Sequence, residues 1–391
     1  MTQLKLYALF LMFQRFGYTC IGFVYTTRLI EKFGFTNQEV MHLNVFYFAF
    51  SVLLELPTGI ISDRFGAKKS ILLGSLFWFL GEAIYLGGNQ YWHFIISEIT
   101  VACGSAFLSG ALDSWIGGHF KCNDKFAEFK RKMNQNIRFI SLILTIVLGY
   151  LADIISLDIP FYVGTFCFFM TLLISLFFDE KQEISEPMPK FKESIKYYFT
   201  NINLFSLGLL CLSNMLWVAP VFMLWGPVIK QDMNLSVSWI GIASCVLSLG
   251  MITGGFIEHK YANKITKYSF LTEIVLSIVR GLLIILLGVT VKMNIVFFLI
   301  IFFLFEGFIE AGVQFHSIHL LKYYKGRPDE ATIASIHSLV MRVGGGLGNL
   351  GLGYFADKYS RSYSWYIAGV MMIVTAIIIY TVKLKIEKNS D

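Results

Sequence analysis

Glu306 and Glu310 sit four residues apart in "FEGFIEAGVQ", inside a run that is otherwise almost wholly apolar. That spacing puts both carboxylates on one face of a helix. Two carboxylates so close, in a poorly hydrated setting, are suited to taking up and releasing a proton. Arg15 and Arg342 also fall in the middle of apolar runs. A guanidinium keeps its charge at any relevant pH, and an uncompensated one in a low-dielectric setting is costly. Each therefore needs a counter-charge, supplied by Glu306 or Glu310 or by a bound anion; static ion pairs that lock helices together are the plainer alternative. Asn214 and Trp217 in "LSNMLWVAP" add polar and aromatic groups to another run, beside Pro220, which would kink or loosen a helix. "HSIH" supplies His316 and His319, but no further clustered ligand accompanies them, so no metal site is expected. No phosphate-binding glycine loop followed by Lys-Ser/Thr occurs, and "VGGGLGNLG" suits close helix packing instead. Catalytic clusters are missing, and the expectation is a protein that is not an enzyme and uses no cofactor.

The elements that must hold these groups are long. The chain is 56% hydrophobic and 15% charged over 391 residues, against about 25% charged in a soluble domain. Its apolar blocks have the length needed to cross a bilayer as helices, and they lack the alternation of a membrane barrel. The pattern predicts an all-α integral membrane protein with twelve spans, at 4–30, 38–62, 70–88, 92–118, 135–156, 159–178, 204–229, 237–258, 268–290, 295–321, 331–355 and 363–382. The first block, with no small-residue cleavage site behind it, is expected as a retained helix. Lys5, Arg64, Lys68, Lys69, "KCNDKFAEFKRK", "KQEISEPMPKFKESIK" and the tail "KLKIEK" fall on the side that carries both termini. The positive-inside rule makes that side cytoplasmic. The formal net charge of +6 then reads as loops facing an anionic leaflet, with no nucleic-acid partner. Five of the six cysteines lie in apolar spans and Cys122 in a basic inner loop, so no disulfide framework is expected.

The longest polar stretch separates six spans from six. It divides the chain into a bundle at 1–178, a cytoplasmic linker at 179–203 and a second bundle at 204–391. "LGYLADIISLDIPFYVG" and "LGYFADKYSRSYSWYIAG" occupy matching places in the two halves, and aligning Gly149 on Gly353 superposes Arg138 on Arg342. The halves read as parallel six-helix repeats, the layout of one large transporter class.

Between the second and third spans lies "ELPTGIISDRFGAKKS". Gly59, Asp63, Arg64 and Gly66 in it resemble the signature of the major facilitator superfamily, and "ELPTG" with "SGALDSW" resembles one bacterial branch of it. Gly66 suits a turn with positive φ. Asp63 can accept hydrogen bonds from the N-terminus of a neighbouring helix, which the resemblance makes the eleventh, opening near "RPDEATIAS". These four residues are the expected inner gate. The resemblance further implies a cavity lined by helices one, four, seven and ten, with two, five, eight and eleven beside them. Arg15, Asn214, Trp217, Glu306, Glu310 and Arg342 become substrate-binding candidates, Glu306 and Glu310 also the proton couplers. Helices three, six, nine and twelve would be peripheral, so Glu82, Glu273 and Arg280 are expected in interhelical pairs or snorkelling to the interface. Glu98 is expected in a wet vestibule, Glu55 beside the gate, and Asp113 paired with Arg138. Two features depart from the drug-exporting branches: Thr100 stands where they carry an arginine, and "ISLILTIVLGYLAD" lacks their glycine-proline-glycine-glycine pattern. The expectation is a monomeric secondary transporter of the bacterial cytoplasmic membrane that works by alternating access. Its cargo would be a small organic compound, anionic or amphipathic and siderophore- or drug-like, exported in exchange for protons. A metabolite importer or facilitator, and a transporter-like membrane sensor, are the alternatives.

Overall fold

The computed structural model describes residues 3–117, 123–179, 191–265 and 269–390. They are helical almost throughout. The first half holds α1 (Gln3–Gly22), α2 (Tyr25–Phe33), α3 (Asn37–Phe65), α4 (Ala67–Gly87), α5 (Tyr91–Leu108), α6 (Ala111–Gly117), α7 (Asn123–Ile154) and α8 (Ile159–Ser175). After α9 (Phe191–Thr200) come α10 (Ile202–Pro227), a π-helical turn (Val228–Asp232), α11 (Val237–Ile265), α12 (Ser269–Thr290), α13 (Ile295–Leu321), α14 (Glu330–Lys358) and α15 (Arg361–Ser390). Continuous helices are what hydrocarbon demands, because every backbone polar group must be satisfied within its own segment. Among the described residues eight helices are long and apolar enough to cross a membrane, or nine if α1 and α2, bent by 41°, are one broken span.

Each expected span coincides with one helix or with two joined end to end. Glycines mark two of the helix ends. Gly34 closes α2 in the left-handed conformation, its N–H bonded to Ile30 O, the usual way a helix stops. Gly110, also at positive φ, separates α5 from α6.

The helices form two compact units. The first comprises residues 1–35, 42–186 and 235–245, the second 36–41, 187–234 and 246–391. In the first, α4 packs on α5 and α8, and α1 on α8 and α7. In the second, α12 packs on α15 and α13, and α10 on α14 and α15. The glycines of "VGGGLGNLG" allow the last of these approaches: a Cβ on Gly344 would lie 2.3 Å from Leu212 O, and one on Gly348 2.2 Å from Leu216 O. The repeated "LGY-Leu/Phe-AD" stretches share a further feature. In the first unit Asp153 accepts from Val237 N at 3.1 Å and Ser238 Oγ at 2.8 Å. In the second, Asp357 accepts from the N–H groups of Asn37 and Gln38, each at 2.9 Å. Both carboxylates thus stabilise the exposed N–H groups of a helix start.

The polar stretch at 179–203 is not free throughout. α9 lies within it, and Tyr198 of α9 is buried with Leu204, Leu207, Leu320 and Ile333 in a core of the second unit. Ser194 Oγ donates to Asp329 at 2.8 Å and Tyr197 OH to Tyr323 O at 2.9 Å. The apolar side of α9 is built from Ile195 and Tyr198, three apart and so on one face, a short pattern that the surrounding lysines and glutamates obscure in the sequence.

Candidate functional site

The second unit holds a partly open cavity of about 350 Å³, lined by residues of four helices, several of them polar. Cys211 and Asn214 come from α10, Glu273 and Arg280 from α12, His316 from α13 and His337 from α14. Glu273 and Arg280 are two helical turns apart and so share a face of α12. Gly312 makes the space that Arg280 occupies, since a Cβ there would lie 1.3 Å from Arg280 Nη2.

The polar contacts run through the histidines, some as charge pairs and some as hydrogen bonds. His316 Nδ1 is 3.3 Å from Glu273 Oε1, and His319 Nδ1 is 3.6 Å from the same oxygen. His316 Nε2 faces His337 Nε2 at 2.9 Å, and His337 Nδ1 meets Tyr198 OH at 2.8 Å. Arg280 Nε donates to Phe308 O at 3.2 Å. Arg280 Nη2 and Asn214 Oδ1 are buried without hydrogen-bond partners. Each such orphan atom has lost its water for nothing unless a ligand or an ordered water meets it. The cavity therefore presents a cation and an amide oxygen to a bound polar group. Cys211, His316 and His337 are the residues able to hold a metal, their ligand atoms all within 4.8 Å of one another.

Of the residues expected at a substrate site, Asn214 lines this cavity. Trp217 is half-buried on α10 and donates from Nε1 to Thr375 Oγ1 of α15 at 3.2 Å. Glu306 and Glu310 are 1% and 9% exposed on α13. Their side chains leave α13 where it packs against Gly250 and Gly254 of α11, at which a Cβ would lie 3.0 and 3.1 Å from the two glutamate Cβ atoms. Glu306 Oε1 has no hydrogen-bond partner, while Glu310 Oε1 accepts from Gln314 at 3.3 Å. Arg342 is half-buried on α14 of the second unit and Arg15 is exposed on α1 of the first. In the gate motif, Gly66 has φ 91° and precedes α4, the turn its sequence predicts. Gly59, Asp63 and Arg64 belong to α3, and their side chains lie outside the described residues, as does that of Asp113. Cys122 lies outside them altogether.

Two expectations are corrected, those for Glu98 and for the histidines of "HSIH". Glu98 is buried and accepts a hydrogen bond from Tyr25 OH, so it is no vestibule residue. Glu82, Glu273 and Arg280 are buried, and of the two roles expected for them Glu273 takes the interhelical one, pairing with His316. The histidines of "HSIH" gain neighbours that sequence reading did not find, Cys211 on α10 and His337 on α14. Three helices contribute to that group, so no local spacing reports it. The available signal was a set of polar residues, each alone in an apolar run.

Long apolar helices of this kind define a multi-pass membrane protein. A model of the Major Facilitator Superfamily matches residues 7–320, and the chain belongs to that family of transporters. It is 24% identical over 330 residues to the chloramphenicol resistance protein CraA of Acinetobacter baumannii, covering 80% of this chain and 76% of that one. It is 25% identical over 158 residues to an uncharacterized MFS-type transporter of Methanocaldococcus jannaschii, covering 40% of each chain. Among solved structures, the nucleoside transporter NupG superposes with a TM-score of 0.80 at 12% identity, over 97% of this chain and 99% of that one. At that identity the likeness speaks for the fold alone.

Proposed function

We propose that this protein is a secondary active transporter that works by alternating access and exports a small organic compound in exchange for protons. The observation that carries the proposal is the burial of Glu306 and Glu310 on one face of α13. Carboxylates at membrane depth are costly and mark proton or substrate paths by default. Glu306 keeps an oxygen without a hydrogen-bond partner, an arrangement that a protonated carboxyl tolerates better than a carboxylate. The likeness to a chloramphenicol resistance protein over most of the chain supports outward transport of a drug-like molecule.

On this reading the chain has twelve spans in two parallel six-helix bundles, 1–178 and 204–391, joined by 179–203. It acts as a monomer in a bacterial cytoplasmic membrane with both termini inside. Arg15, Asn214, Trp217, Glu306, Glu310 and Arg342 contact the substrate during the cycle, and Gly59, Asp63, Arg64 and Gly66 form the inner gate. The test uses everted membrane vesicles with an acidic interior and a panel of anionic and amphipathic compounds, chloramphenicol first. Wild type is expected to accumulate a member of the panel and to release protons from the lumen as it does so. Glu306→Gln and Glu310→Gln should fold and abolish that proton release. Accumulation that survives collapse of the pH gradient, or proton release that survives in both variants, overturns proton coupling. Binding of a compound without its movement across the vesicle membrane would favour a sensor.

A further inference from the structure

We propose that Cys211, His316 and His337 form a binding site for a zinc-class transition metal ion inside the second unit. The donor set is the first argument. One thiol and two imidazoles are the ligands that zinc and its borderline-soft neighbours take, and magnesium and calcium do not. Their ligand atoms lie within 4.8 Å of one another although they come from α10, α13 and α14.

The orientation of the rings is the second argument. His316 and His337 turn their Nε2 atoms toward each other, 2.9 Å apart. Two imidazole nitrogens on one tetrahedral zinc ion, each at about 2.0–2.1 Å, are about 3.3 Å apart. A shift of a few tenths of an ångström would seat the ion. A thiolate sulfur at about 2.3 Å would lie about 3.5 Å from each nitrogen, within reach of a side-chain rotation of Cys211.

The groups behind the rings are the third. A metal-bound histidine usually passes its other ring N–H to a carboxylate or another acceptor, which fixes the tautomer and aims the ligand nitrogen. Here His316 Nδ1 faces the Glu273 carboxylate at 3.3 Å and His337 Nδ1 faces Tyr198 OH at 2.8 Å. Both rings are thus oriented from behind with Nε2 left to the shared point. Glu273, Tyr198 and His337 are all buried, so the arrangement is held by packing as well as by the Tyr198 hydrogen bond and the nearby Glu273 charge. All three residues line the cavity that Asn214 and Arg280 also line, so a fourth position would be left to water or to an anionic ligand, as in zinc sites that bind small molecules.

The competing account of the same geometry is a proton in place of the metal, shared between the two Nε2 atoms with Glu273 as counter-ion. The full-length protein, purified with its affinity tag removed and stripped with a chelator, distinguishes them. Cobalt(II), titrated as a spectroscopic stand-in for zinc, should bind one equivalent. It should give tetrahedral d–d bands with a thiolate-to-cobalt charge-transfer band, and zinc should displace it. Cys211→Ser should abolish the charge-transfer band, and Cys245→Ser should leave it intact. His316→Gln and His337→Gln should abolish stoichiometric binding. Glu273→Gln and Tyr198→Phe should each weaken it by roughly ten- to a hundredfold; because these two keep the ligands, they carry the test if a histidine variant fails to fold. A cobalt complex without the charge-transfer band, or with the band unchanged in Cys211→Ser, overturns the site and leaves the shared proton.

Discussion

Arg28 and Arg280, one in each unit, are both buried within helices, and their surroundings differ. Arg28 of the first unit is 0% exposed, and its Nε donates to Asp158 at 2.7 Å. Its guanidinium lies 4.5 Å from the Phe161 ring and 5.2 Å from those of Phe33 and Tyr85. Lys32 shares the same aspartate. Arg280 of the second unit donates to one backbone carbonyl, keeps a buried nitrogen without a partner, and borders a cavity. Arg28 also keeps a buried nitrogen, Nη1, without a hydrogen-bond partner, but a carboxylate and three aromatic faces meet its charge, whereas Arg280 leaves donor capacity beside a cavity. A buried cation paired with a carboxylate is a structural element; one without such a pair, beside a cavity, is where a ligand is expected.

The sharpest way to break this comparison is to neutralise each arginine. Arg28→Met leaves Asp158 partly buried with Lys32 as its remaining charged partner and removes the aromatic contacts. Loss of one member of a buried pair costs about 3–5 kcal/mol, and because Asp158 keeps Lys32 and some contact with water, about 3 kcal/mol is expected. Arg280→Met removes one hydrogen bond but also an unsatisfied buried N–H, and these offset each other to within about 1 kcal/mol. Thermal unfolding of the detergent-solubilised variants measures both. Equal losses would mean that Arg280 is as structural as Arg28.

Sequence reading reached part of this picture. The long helices were legible because their apolar blocks are continuous and few other structures accommodate them, and Gly66 was legible because its motif demands a turn. Arg28 was not. "TTRLIEKFGF" has the polarity of an outer loop, and only the bend between α1 and α2 together with rings from α4 and α8 buries it. The partners of Glu273 and Arg280 were not legible for a related reason: both residues lie in an apolar helix, but His316 and the Phe308 carbonyl, which meet them, are on α13. A sequence reports the cost of a buried charge at its own position, while what offsets that cost lies on other helices.

A smaller effect sharpens the second half of the comparison. Gly312→Ala would place a methyl 1.3 Å from Arg280 Nη2 and 2.5 Å from Cζ. The guanidinium must move, and overpacking of this kind costs about 1–3 kcal/mol. In an Arg280→Met background the obstruction is gone and the same substitution should cost less than about 1 kcal/mol. The coupling between the two, read from a double-mutant cycle, should be about 1–2 kcal/mol. An additive cycle would show that the space around Arg280 is not set by Gly312.

The smallest expected effect lies in the loops, where each unit holds an aspartate of lowered pKa. Asp158, between α7 and α8, is partly buried, which alone would raise its pKa, but hydrogen bonds from Lys32 and Arg28 outweigh this and hold the carboxyl below its usual range. Asp329, before α14, is held below its usual range first by the hydrogen bond from Arg327 and then by that from Ser194. For a carboxyl whose folded pKa is depressed, the stabilisation is fully present above the unfolded value of about 3.9 and disappears as pH falls through the lower folded value. Both aspartates should therefore contribute to an acid limb of stability below about pH 4, and neither to any change between neutral and alkaline pH. They should differ in size and in salt response. Arg28 is shielded from water, whereas Arg327 is more than a third exposed, and exposed pairs contribute little and are screened by salt. Unfolding temperatures of wild type, Asp158→Asn and Asp329→Asn from pH 7 to pH 3 test this at low and high salt. Asp158→Asn should flatten the acid limb at both salt concentrations, and Asp329→Asn only slightly and only at low salt. Equal flattening by the two, or a salt-sensitive effect at Asp158, would mean that the Arg28 cluster is as open to solvent as the loop before α14, and the contrast between the units would not extend to their surfaces.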